Sequence, residues 1–571
     1  MTDASAQSSD SSSKIADFKE KLKGEGLFLT DHLHIILATV TMSLLSLSVP
    51  IMTLQVYDRL LGNPEGGTLP ILLSGVVVAI ILEAVIRMSR NYIVQNAGAI
   101  FEHRMNCKLF FHTIHSDFSK ILNFDPATHQ QRFGTVHDVK DDFTGSAFVS
   151  YCEALLLPVF FILLMYIAGW LTLVPIVIAG LYAAIVLTIS LRLKEAIKVR
   201  DEYDEGRYSY LINVLSGIHT IKAFAAEKIF ERRYERFKED MGTSHYRVAM
   251  LNAAIANLGS IFSGIMTVTV ITVGAYLVIT KVLTTGSLIA TIVITGRIMQ
   301  PVQKIVHSLI RKNEAVHSYE DIVDFLETPT DRPIEDLYYD LENTQKKMAD
   351  VRGDLKIENM SFKYVGQDDY VFENAGLNAY PGEMINIRGD FGSGKTTLMK
   401  LICGIYPPGE GQVLVDGRPV NRYSQQELPR HVGFVESYGI LFRGTIRDNI
   451  TRFGLTGEAQ AQQASALLDL NREIIKLPAG FDTMLSGKPN DVIQPDLCQR
   501  IAIARTLAMQ PKLLLFDEPN RNLDFESYNI LFRLLATLKG HSTIILVSSD
   551  NNLSSLADTS YLIDNKKLIR I

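Results

Sequence analysis

Three long stretches of this chain contain no Asp, Glu, Lys or Arg, namely residues 34–57, 154–191 and 248–280. A membrane-spanning helix needs about 20 mostly apolar residues, and helices of water-soluble proteins rarely lack charge for so long. The middle stretch is long enough for two helices, which we expect to meet near Trp170 and Pro175. With further apolar segments at about 69–92 and 285–307, the pattern predicts six membrane-spanning helices.

The basic residues predict how these helices are oriented. The segment 58–68 between the first two spans is short and holds one basic residue, Arg59, whereas segments 88–150 and 192–247 are long and rich in Lys and Arg. Because basic residues concentrate in cytoplasmic loops, both termini and the long segments are predicted to be cytoplasmic. Apolar residues recur in the long segments at helical spacing, so the spans are predicted to continue as helices beyond the membrane.

A few ionisable residues fall inside the predicted spans. Arg297 lies about 12 residues into the last span, near the bilayer midplane at about 1.5 Å per residue. A charge there is costly and usually faces a water-filled pathway or an ionic partner. We favour a role in a transport pathway, with a structural salt bridge as the alternative. Glu83 and Arg87 are spaced i,i+4 and are expected to form a local ion pair.

Composition adds few constraints. The 47% hydrophobic residues and the mean hydropathy of +0.14 suit a membrane protein, and the net charge of -6 does not indicate a nucleic-acid partner. The four cysteines have no metal or redox spacing and fit a reducing compartment. Residues 1–27 are polar and Ser-rich at their start, so we expect a disordered tail without a signal peptide or a peptidase domain.

The chain changes character after Phe325. We expect a membrane domain at 28–327, a polar linker at 328–352 and a second domain at 353–571 in which strand patterns begin. In that domain, residues 389–394 are Gly-rich and lie between an apolar strand pattern and a helix pattern, followed by Lys395 and Thr396.

This arrangement is a phosphate-binding P-loop. Backbone N–H groups at a helix N-terminus attract phosphate, Lys395 would contact the β- and γ-phosphates of ATP, and the Thr396 hydroxyl would bind Mg²⁺. Asp517 and Glu518 end an apolar strand, where Asp517 would hold Mg²⁺ and Glu518 would polarise the attacking water. The predicted ATP-binding set is Tyr364, for stacking on adenine, with Gly389, Gly392, Ser393, Gly394, Lys395, Thr396 and Thr397.

With these motifs the chain resembles an ABC exporter half-transporter. The resemblance implies a six-helix transmembrane domain of the type I exporter fold, fused to an α/β P-loop nucleotide-binding domain. Residues 54–60 and 286–297 are similar to the type I secretion subgroup, and 216–224 resembles a coupling segment. The subgroup implies an inner-membrane subunit, with an unfolded protein or peptide as substrate, a periplasmic adaptor and an outer-membrane channel as partners, and surrounding lipid.

The chain departs from the family at positions that would contact the γ-phosphate. The family pattern Leu-Ser-Gly-Gly-Gln is replaced by Ile-Gln-Pro-Asp-Leu at 493–497, the Q-loop glutamine by Ser437 and the switch histidine by Ser549. Pro495 has no N–H to donate, and Asp496 would place a negative charge beside a phosphate. The changed signature positions that matter most are Gln494, Pro495, Asp496 and Leu497.

Three hypotheses about function follow from these residues. The favoured one is an exporter subunit that binds ATP and Mg²⁺, hydrolyses ATP weakly or not at all by itself, and pairs with a competent second half-transporter. The second is a homodimeric exporter with an unusual but active ATPase site. The third is a non-transporting regulator or scaffold that uses ATP binding to set a conformation. The sequence leaves open whether the chain is an enzyme on its own.

Overall fold

The computed structural model describes residues 28–60, 69–118, 126–143, 146–330, 352–423, 427–487 and 493–571. The chain divides into two compact units that part after Thr330, with Asp117 and Phe118 grouped with the second unit. The predicted tail, 1–27, and most of the predicted linker lie outside the described residues.

Long helices build the first unit. They are α1 (Phe28–Ser46), α2 (Ser48–Gln55), α3 (Leu69–His115), α4 (Pro126–Phe143), α5 (Ser146–Leu155), α6 (Leu157–Ala168), α7 (Leu173–Ser216), α8 (Ile218–Ala223), α9 (Glu227–Ile279) and α10 (Thr285–Leu326). A π-helical turn, Val56–Leu60, follows α2, and a 3-10 turn, Gly169–Thr172, joins α6 to α7. Helices α3, α7 and α9 each continue well past the length that a span requires, as the helical periodicity predicts.

Four stretches of the described chain are long and apolar enough to cross a membrane: Leu33–Leu60, Leu69–His115, Ala147–Ser216 and Glu227–Ile279. The third is broken at Gly169, whose φ of +53° belongs to a turn, and this confirms that the charge-free run 154–191 forms two helices. Helix α10 holds the sixth predicted span, although polar residues such as Thr295 and Arg297 interrupt its apolar sequence. Helices therefore occupy all six predicted spans, and those outside α10 fall within the four stretches that are long and apolar enough to cross a membrane.

The largest core of this unit lies where α6, α7, α9 and α10 pack together. Its fully buried members include Leu164, Tyr182, Ile255 and Ile294, one from each of these helices. Burial of apolar side chains between helices fixes their packing even where lipid would be an equally apolar surrounding, because close-packed side chains gain dispersion contacts.

The second unit combines two larger sheets with helices. Its strands are β1 (Leu355–Phe362), β2 (Phe372–Ala379), β3 (Met384–Arg388), β4 (Glu410–Val415), β5 (Arg418–Pro419), β6 (Val432–Val435), β7 (Gly444–Thr445), β8 (Met484–Leu485), β9 (Leu513–Asp517), β10 (Thr543–Val547), β11 (Thr559–Asp564) and β12 (Lys567–Arg570). Its helices are α11 (Lys395–Ile402), α12 (Leu428–His431), α13 (Ile446–Thr451), α14 (Glu458–Leu467), α15 (Leu470–Ile474), α16 (Pro495–Leu507), α17 (Phe525–Leu538) and α18 (Asn551–Ser554), with 3-10 turns at Val420–Arg422 and Gly480–Asp482.

The six-stranded sheet has the order β12-β11-β3-β10-β9-β6, and all its neighbours are parallel except β11 and β12. A four-stranded sheet, β2-β1-β4-β5, is antiparallel, and β7 pairs with β8. Strands β9 and β10 are buried along their whole length. Buried parallel strands read as continuous apolar runs, which is why the sequence marks them clearly.

This topology brings the predicted motifs together. In a parallel sheet, the carboxyl ends of all strands lie at one edge, and ligands bind outside that edge. The P-loop follows β3, Glu518 follows β9, Ser549 lies just after β10, and Ser437 just after β6. These four strands are consecutive neighbours, so residues far apart in sequence gather at the same edge.

Candidate nucleotide-binding site and membrane-domain features

The P-loop connects β3 to the first turn of α11. Gly394 has a φ of +101°, and a Cβ atom there would lie 2.7 Å from the Val371 side chain. Both the backbone conformation and the lack of space therefore require glycine at this position. Gly392 also has a positive φ, of +81°. The glycines thus let the loop curl tightly before the helix begins.

The lysine of the loop is held by backbone carbonyl groups. The Lys395 ammonium donates to the carbonyl oxygens of Gly389 and Asp390, each over 2.7 Å. The Ser393 hydroxyl is buried and has no hydrogen-bond partner among the described residues. An unpaired buried hydroxyl carries a free-energy penalty that a phosphate oxygen would relieve. The loop therefore offers a cation and a free hydroxyl to an anion bound at the start of α11.

The two residues predicted to hold Mg²⁺ are in direct contact. The Thr396 hydroxyl donates to Asp517 Oδ2 over 2.7 Å, and Asp517 is only 4% exposed. Burial raises the pKa of Asp517, and the hydrogen bond from Thr396 opposes that shift. Mg²⁺ prefers oxygen ligands and usually takes one or two from protein, with the rest from phosphate and water. A hydroxyl beside a carboxylate fits that requirement.

Glu518 occupies an unusual backbone conformation. Its φ of +44° lies in the left-handed region, which non-glycine residues adopt rarely and at a cost. Hydrogen bonds fix the turn, because Glu518 N–H donates to the Val547 carbonyl over 2.9 Å and Arg521 N–H donates to the Glu518 carbonyl over 3.1 Å. Strands β9 and β10 therefore hold the backbone of Glu518 in place, and this backbone sets the direction of its side chain.

Tyr364 lies beside the P-loop helix. Its hydroxyl is 2.7 Å from the Thr397 hydroxyl, and its ring packs edge-on against Phe362 and Tyr406. The structure therefore brings Tyr364 and Thr397 together, a contact that their separation in the sequence does not reveal. Stacking of the Tyr364 ring on adenine stays a prediction.

Ser437, the predicted Q-loop residue, contacts Asp517, whereas Ser549, the predicted switch residue, lies just after the neighbouring strand β10. The Ser437 hydroxyl donates to the Asp517 carbonyl over 2.9 Å. Ser549 is exposed and directly follows the buried Ser548 at the end of β10. A serine side chain is shorter than glutamine or histidine, and the assignment of these two serines to the Q-loop and the switch stays a prediction.

The segment 493–497 forms the start of α16. Gln494 is the N-cap residue without a side-chain capping bond, and Pro495 is the first helical residue. Asp496 accepts a hydrogen bond from the Ser527 hydroxyl over 3.3 Å. Ile493 and Leu497 are buried in the core, each 7% exposed. Gln494 and Pro495 are exposed. The N-terminus of α16 therefore lacks one N–H donor, at Pro495, and carries the Asp496 carboxylate in its first turn.

In the first unit, Arg297 is half-buried and forms no hydrogen bond or ion pair with any residue that the structure describes. The salt-bridge alternative for Arg297 therefore finds no partner in this part of the chain, while its role in a pathway stays a prediction. The ion pair predicted between Glu83 and Arg87 is present.

A separate polar cavity of about 630 Å³ in the first unit is lined by residues of α3, α5 and α10. Two of its lining cations share one carboxylate, because Glu153 pairs with Arg90 at 3.1 Å and with Lys304 at 2.8 Å. This group has no signature in the sequence, because its members come from different helices. Arg297 does not line this cavity.

The two segments that resemble the type I secretion subgroup meet in the structure. Asp58 accepts hydrogen bonds from the Gly286 N–H over 2.9 Å and from the Thr284 hydroxyl over 2.7 Å. A Cβ atom at position 286 would lie 2.5 Å from the Asp58 carboxylate. A carboxylate at a helix N-terminus satisfies free N–H groups and interacts favourably with the helix dipole, so Asp58 fixes the beginning of α10.

Comparison with known proteins agrees with this architecture. The sequence model of the ABC transporter transmembrane region matches residues 33–302, and the model described as ABC transporter matches residues 372–521. The alpha-hemolysin translocation ATP-binding protein HlyB of Escherichia coli O157:H7 is 26% identical over 534 residues, 93% of this chain and 74% of the relative. The cyclolysin secretion/processing ATP-binding protein CyaB of Bordetella pertussis is 26% identical over 91% of this chain and 72% of its own length.

A third relative, the toxin RTX-I translocation ATP-binding protein of Actinobacillus pleuropneumoniae, is 27% identical over 93% of this chain and 74% of its own length. These relatives align across both units, so the resemblance extends well beyond the P-loop. The chain therefore belongs to the ABC transporters, and joins a transmembrane region of the exporter type to an α/β nucleotide-binding domain.

Proposed function

We propose that this chain is a subunit of an ATP-driven exporter of the type I protein secretion kind, which binds ATP and Mg²⁺ but hydrolyses ATP weakly by itself. The relatives named for toxin translocation support the exporter class. One contrast supports the proposal of weak hydrolysis. The P-loop and the contact between Thr396 and Asp517 are complete, whereas the start of α16 lacks groups that could donate to a phosphate.

ATP would bind at the edge of the parallel sheet. The Lys395 ammonium would leave the carbonyl oxygens of Gly389 and Asp390 and donate to the β- and γ-phosphates. The backbone N–H groups at the start of α11 would also donate to these phosphates. Thr396 and Asp517 would hold Mg²⁺, which would neutralise charge on the phosphates when bound. Gly392, Ser393 and Gly394 shape the loop, and the aromatic ring of Tyr364 stacks on adenine.

Weak hydrolysis is proposed because several charge-stabilising contacts are replaced. Phosphoryl transfer depends on positioned donors and cations around the γ-phosphate. Pro495 removes an N–H, Asp496 adds a like charge, and Ser437 and Ser549 shorten two side chains that would sense the phosphate. Removing one such donor typically lowers the rate by about 10²–10³-fold. Glu518 could then still polarise a water molecule, but the charge that develops on the γ-phosphate would be poorly stabilised.

Pairing with a second, competent ABC subunit is proposed for the same reason. In a head-to-tail pair of cassettes, the P-loop and Glu518 of this chain would face an intact signature motif of the partner. The partner's P-loop would face residues 493–497 of this chain and would form the weaker site. Ser549 also weakens the first site, so the two sites together determine whether the pair turns over rapidly.

The membrane arrangement completes the proposal. The chain would lie in the bacterial inner membrane with both termini and the nucleotide-binding unit in the cytoplasm, following the distribution of basic residues. A periplasmic adaptor, an outer-membrane channel and a secreted protein or peptide are the partners that this class implies. Arg297 would face the transport pathway.

The experiment that tests this function is steady-state ATP hydrolysis by the purified chain in lipid, with Glu518→Gln as the blank. A rate equal to the blank supports a subunit that needs a partner. Turnover clearly above the blank means that a homodimer hydrolyses ATP with a rebuilt site, and the interpretation of Pro495 and Asp496 is then wrong.

Restoring the family residues provides the complementary test. Replacement of residues 494–497 by Ser-Gly-Gly-Gln together with Ser549→His is expected to raise turnover, by as much as about 10²–10³-fold where a single lost contact limits the rate. The matched control carries only Cys498→Ser, an adjacent change outside the motif. An unchanged rate in the restored chain would locate the limitation elsewhere, at Ser437 or in the geometry of the subunit pair.

A further inference from the structure

The loop 436–439 is clamped between the end of β9 and the start of α16. On one side, the Ser437 hydroxyl donates to the Asp517 carbonyl over 2.9 Å. On the other, the Gln499 side-chain amide donates to the Glu436 carbonyl over 2.9 Å. Gly439 packs so closely that a Cβ atom would lie 2.6 Å from the Cys498 carbonyl oxygen. This loop therefore has little freedom to move independently of the two elements that it contacts.

The next contact in this region involves the predicted water-polarising residue. Arg521 pairs with Glu518 at 3.6 Å, and its guanidinium lies 5.4 Å from the centre of the Tyr438 ring. Glu518 is the one ion-pair partner of Arg521 within the described residues, and the two side chains are 49% and 35% exposed. Glu518, Arg521 and Tyr438 form a continuous group, which we call the arginine clasp.

We propose that Arg521 is a positioning residue that restrains Glu518, so that the arginine clasp must open before Glu518 can polarise water. This inference rests on the proposed function, since it concerns the same nucleotide site. At 3.6 Å the guanidinium holds the carboxylate by charge attraction, which competes with the attraction of the carboxylate for a water molecule. The strained backbone of Glu518 and the fixed loop 436–439 limit where the pair can move.

ATP binding would weaken the clasp, because its phosphates attract Arg521. Guanidinium groups bind phosphate oxygens through charge-assisted hydrogen bonds, and ATP would bring several negative charges to the edge of the sheet where Arg521 lies. The bound phosphates compete with Glu518 for Arg521, while Tyr438 keeps the guanidinium near the loop. The clasp thus restrains Glu518 most strongly when the site holds no nucleotide, and it still restrains Glu518 in part when ATP is bound, because Tyr438 keeps the guanidinium near the loop.

The size of the effect follows from the exposure of the pair. Exposed ion pairs bias an equilibrium only modestly, which corresponds to a change of about two- to fivefold in rate. We therefore expect Arg521→Ala to raise kcat by about two- to fivefold, and to raise KM for ATP slightly because the substitution also removes a cation that attracts the phosphates. An arginine that stabilised the transition state would behave oppositely, because its removal lowers kcat by about 10³-fold or more.

The kinetic test compares variants of the full chain in lipid nanodiscs. Arg521→Lys keeps a charge beside Glu518 and is expected to stay closer to the wild type than Arg521→Ala. Tyr438→Ala is expected to raise kcat partly, while Tyr438→Phe keeps the ring and the wild-type rate. Arg472→Ala is the control, since Arg472 forms a more exposed ion pair with Glu526 at 3.0 Å, away from Glu518.

Several kinetic outcomes overturn the proposal. These are a lower kcat in Arg521→Ala, an equal rise in Arg521→Lys, or the same rise in the Arg472→Ala control. Adding Glu518→Gln to Arg521→Ala must return the rate to the blank, because the gain is assigned to Glu518. A gain that survives this double substitution would exclude the clasp as its cause.

A second measurement applies even where the chain alone does not turn over. Amide hydrogen exchange of segments 436–439 and 518–523 is expected to be faster in Arg521→Ala than in the wild type, and unchanged in Arg472→Ala. Exchange that is the same in Arg521→Ala and the wild type overturns the proposal. A wild-type rate of ATP hydrolysis far above that of Glu518→Gln would contradict the proposed weak hydrolysis. The ratio of kcat in Arg521→Ala to kcat in the wild type would still test the clasp.

Discussion

Replacing Thr396 by alanine is expected to destabilise the nucleotide-binding unit by about 1.5–3 kcal/mol, the usual range for a hydrogen bond to a charged group. The Thr396 hydroxyl donates to Asp517 over 2.7 Å. Because Asp517 is 4% exposed, water has little access to replace the lost donor. In a domain of about 150–250 residues each kcal/mol shifts the melting temperature by about 2–4 °C. The melting transition of this unit should therefore fall by roughly 3–12 °C.

The assay is calorimetry of the full chain in lipid nanodiscs, where the transition of the nucleotide-binding unit is the one that ATP shifts upward. Thr396→Ser is the matched control, because it keeps the hydroxyl and removes only a methyl group. Two results would refute the reasoning. One is an unchanged transition in Thr396→Ala, and the other is a decrease of the same size in Thr396→Ser.

The pH dependence of this effect has a definite sign. Burial raises the pKa of Asp517 above its ordinary value of 3.8, and the Thr396 hydroxyl opposes that rise. A carboxyl whose pKa is raised by folding destabilises the protein when ionised, and the penalty is relieved as the pH falls through the folded-state pKa. Thr396→Ala removes the opposing bond and raises this pKa further. The gap in melting temperature between variant and wild type should narrow as pH falls from neutral toward 3.8.

Two further predictions concern the membrane unit. Arg297→Ala is expected to lower export at least severalfold while membrane insertion stays normal, because it removes a charge without an ion-pair partner among the described residues; unchanged export would exclude a pathway role. Gly286→Ala is expected to disrupt the cap that Asp58 forms, at a cost of about 1 kcal/mol, and to speed amide exchange in the first turn of α10. Gly296→Ala, in open space on the same helix, is its control, and equal exchange in the two variants would contradict the capping role.

Much of the fold follows from patterns that are local in the sequence. Charge-free runs mark the long helices, and continuous apolar runs mark buried strands such as Leu513–Asp517. The P-loop was predictable together with its flanking strand and helix, since the Gly-rich segment stands between two periodic patterns. The convergence of Ser437, Asp517 and Ser549 at one edge was also accessible, because parallel strands end on the same side.

Other features depend on contacts between distant residues and have no local signal. The cap that Asp58 forms on Gly286 joins two segments that the sequence shows separately. The left-handed backbone of Glu518 is set by a hydrogen bond to Val547 on the neighbouring strand. Arg521 follows Glu518 by only three residues, but the packing of Tyr438 against Arg521 requires the folded loop.

Under the proposed function, the residues at the start of α16 alter nucleotide chemistry and leave folding intact. Proline is favoured at the first helical position, where its missing N–H would have no intrahelical partner, and an acidic residue in the first turn suits the helix dipole. Pro495 and Asp496 therefore begin the helix well, while Ile493 and Leu497 remain packed in the core. The same two features that suit the helix, a missing donor and a negative charge, are unfavourable for a phosphate. The residues at this helix start are therefore compatible with normal folding, so under the proposed function their effect falls on the contact with the γ-phosphate and not on the stability of the domain.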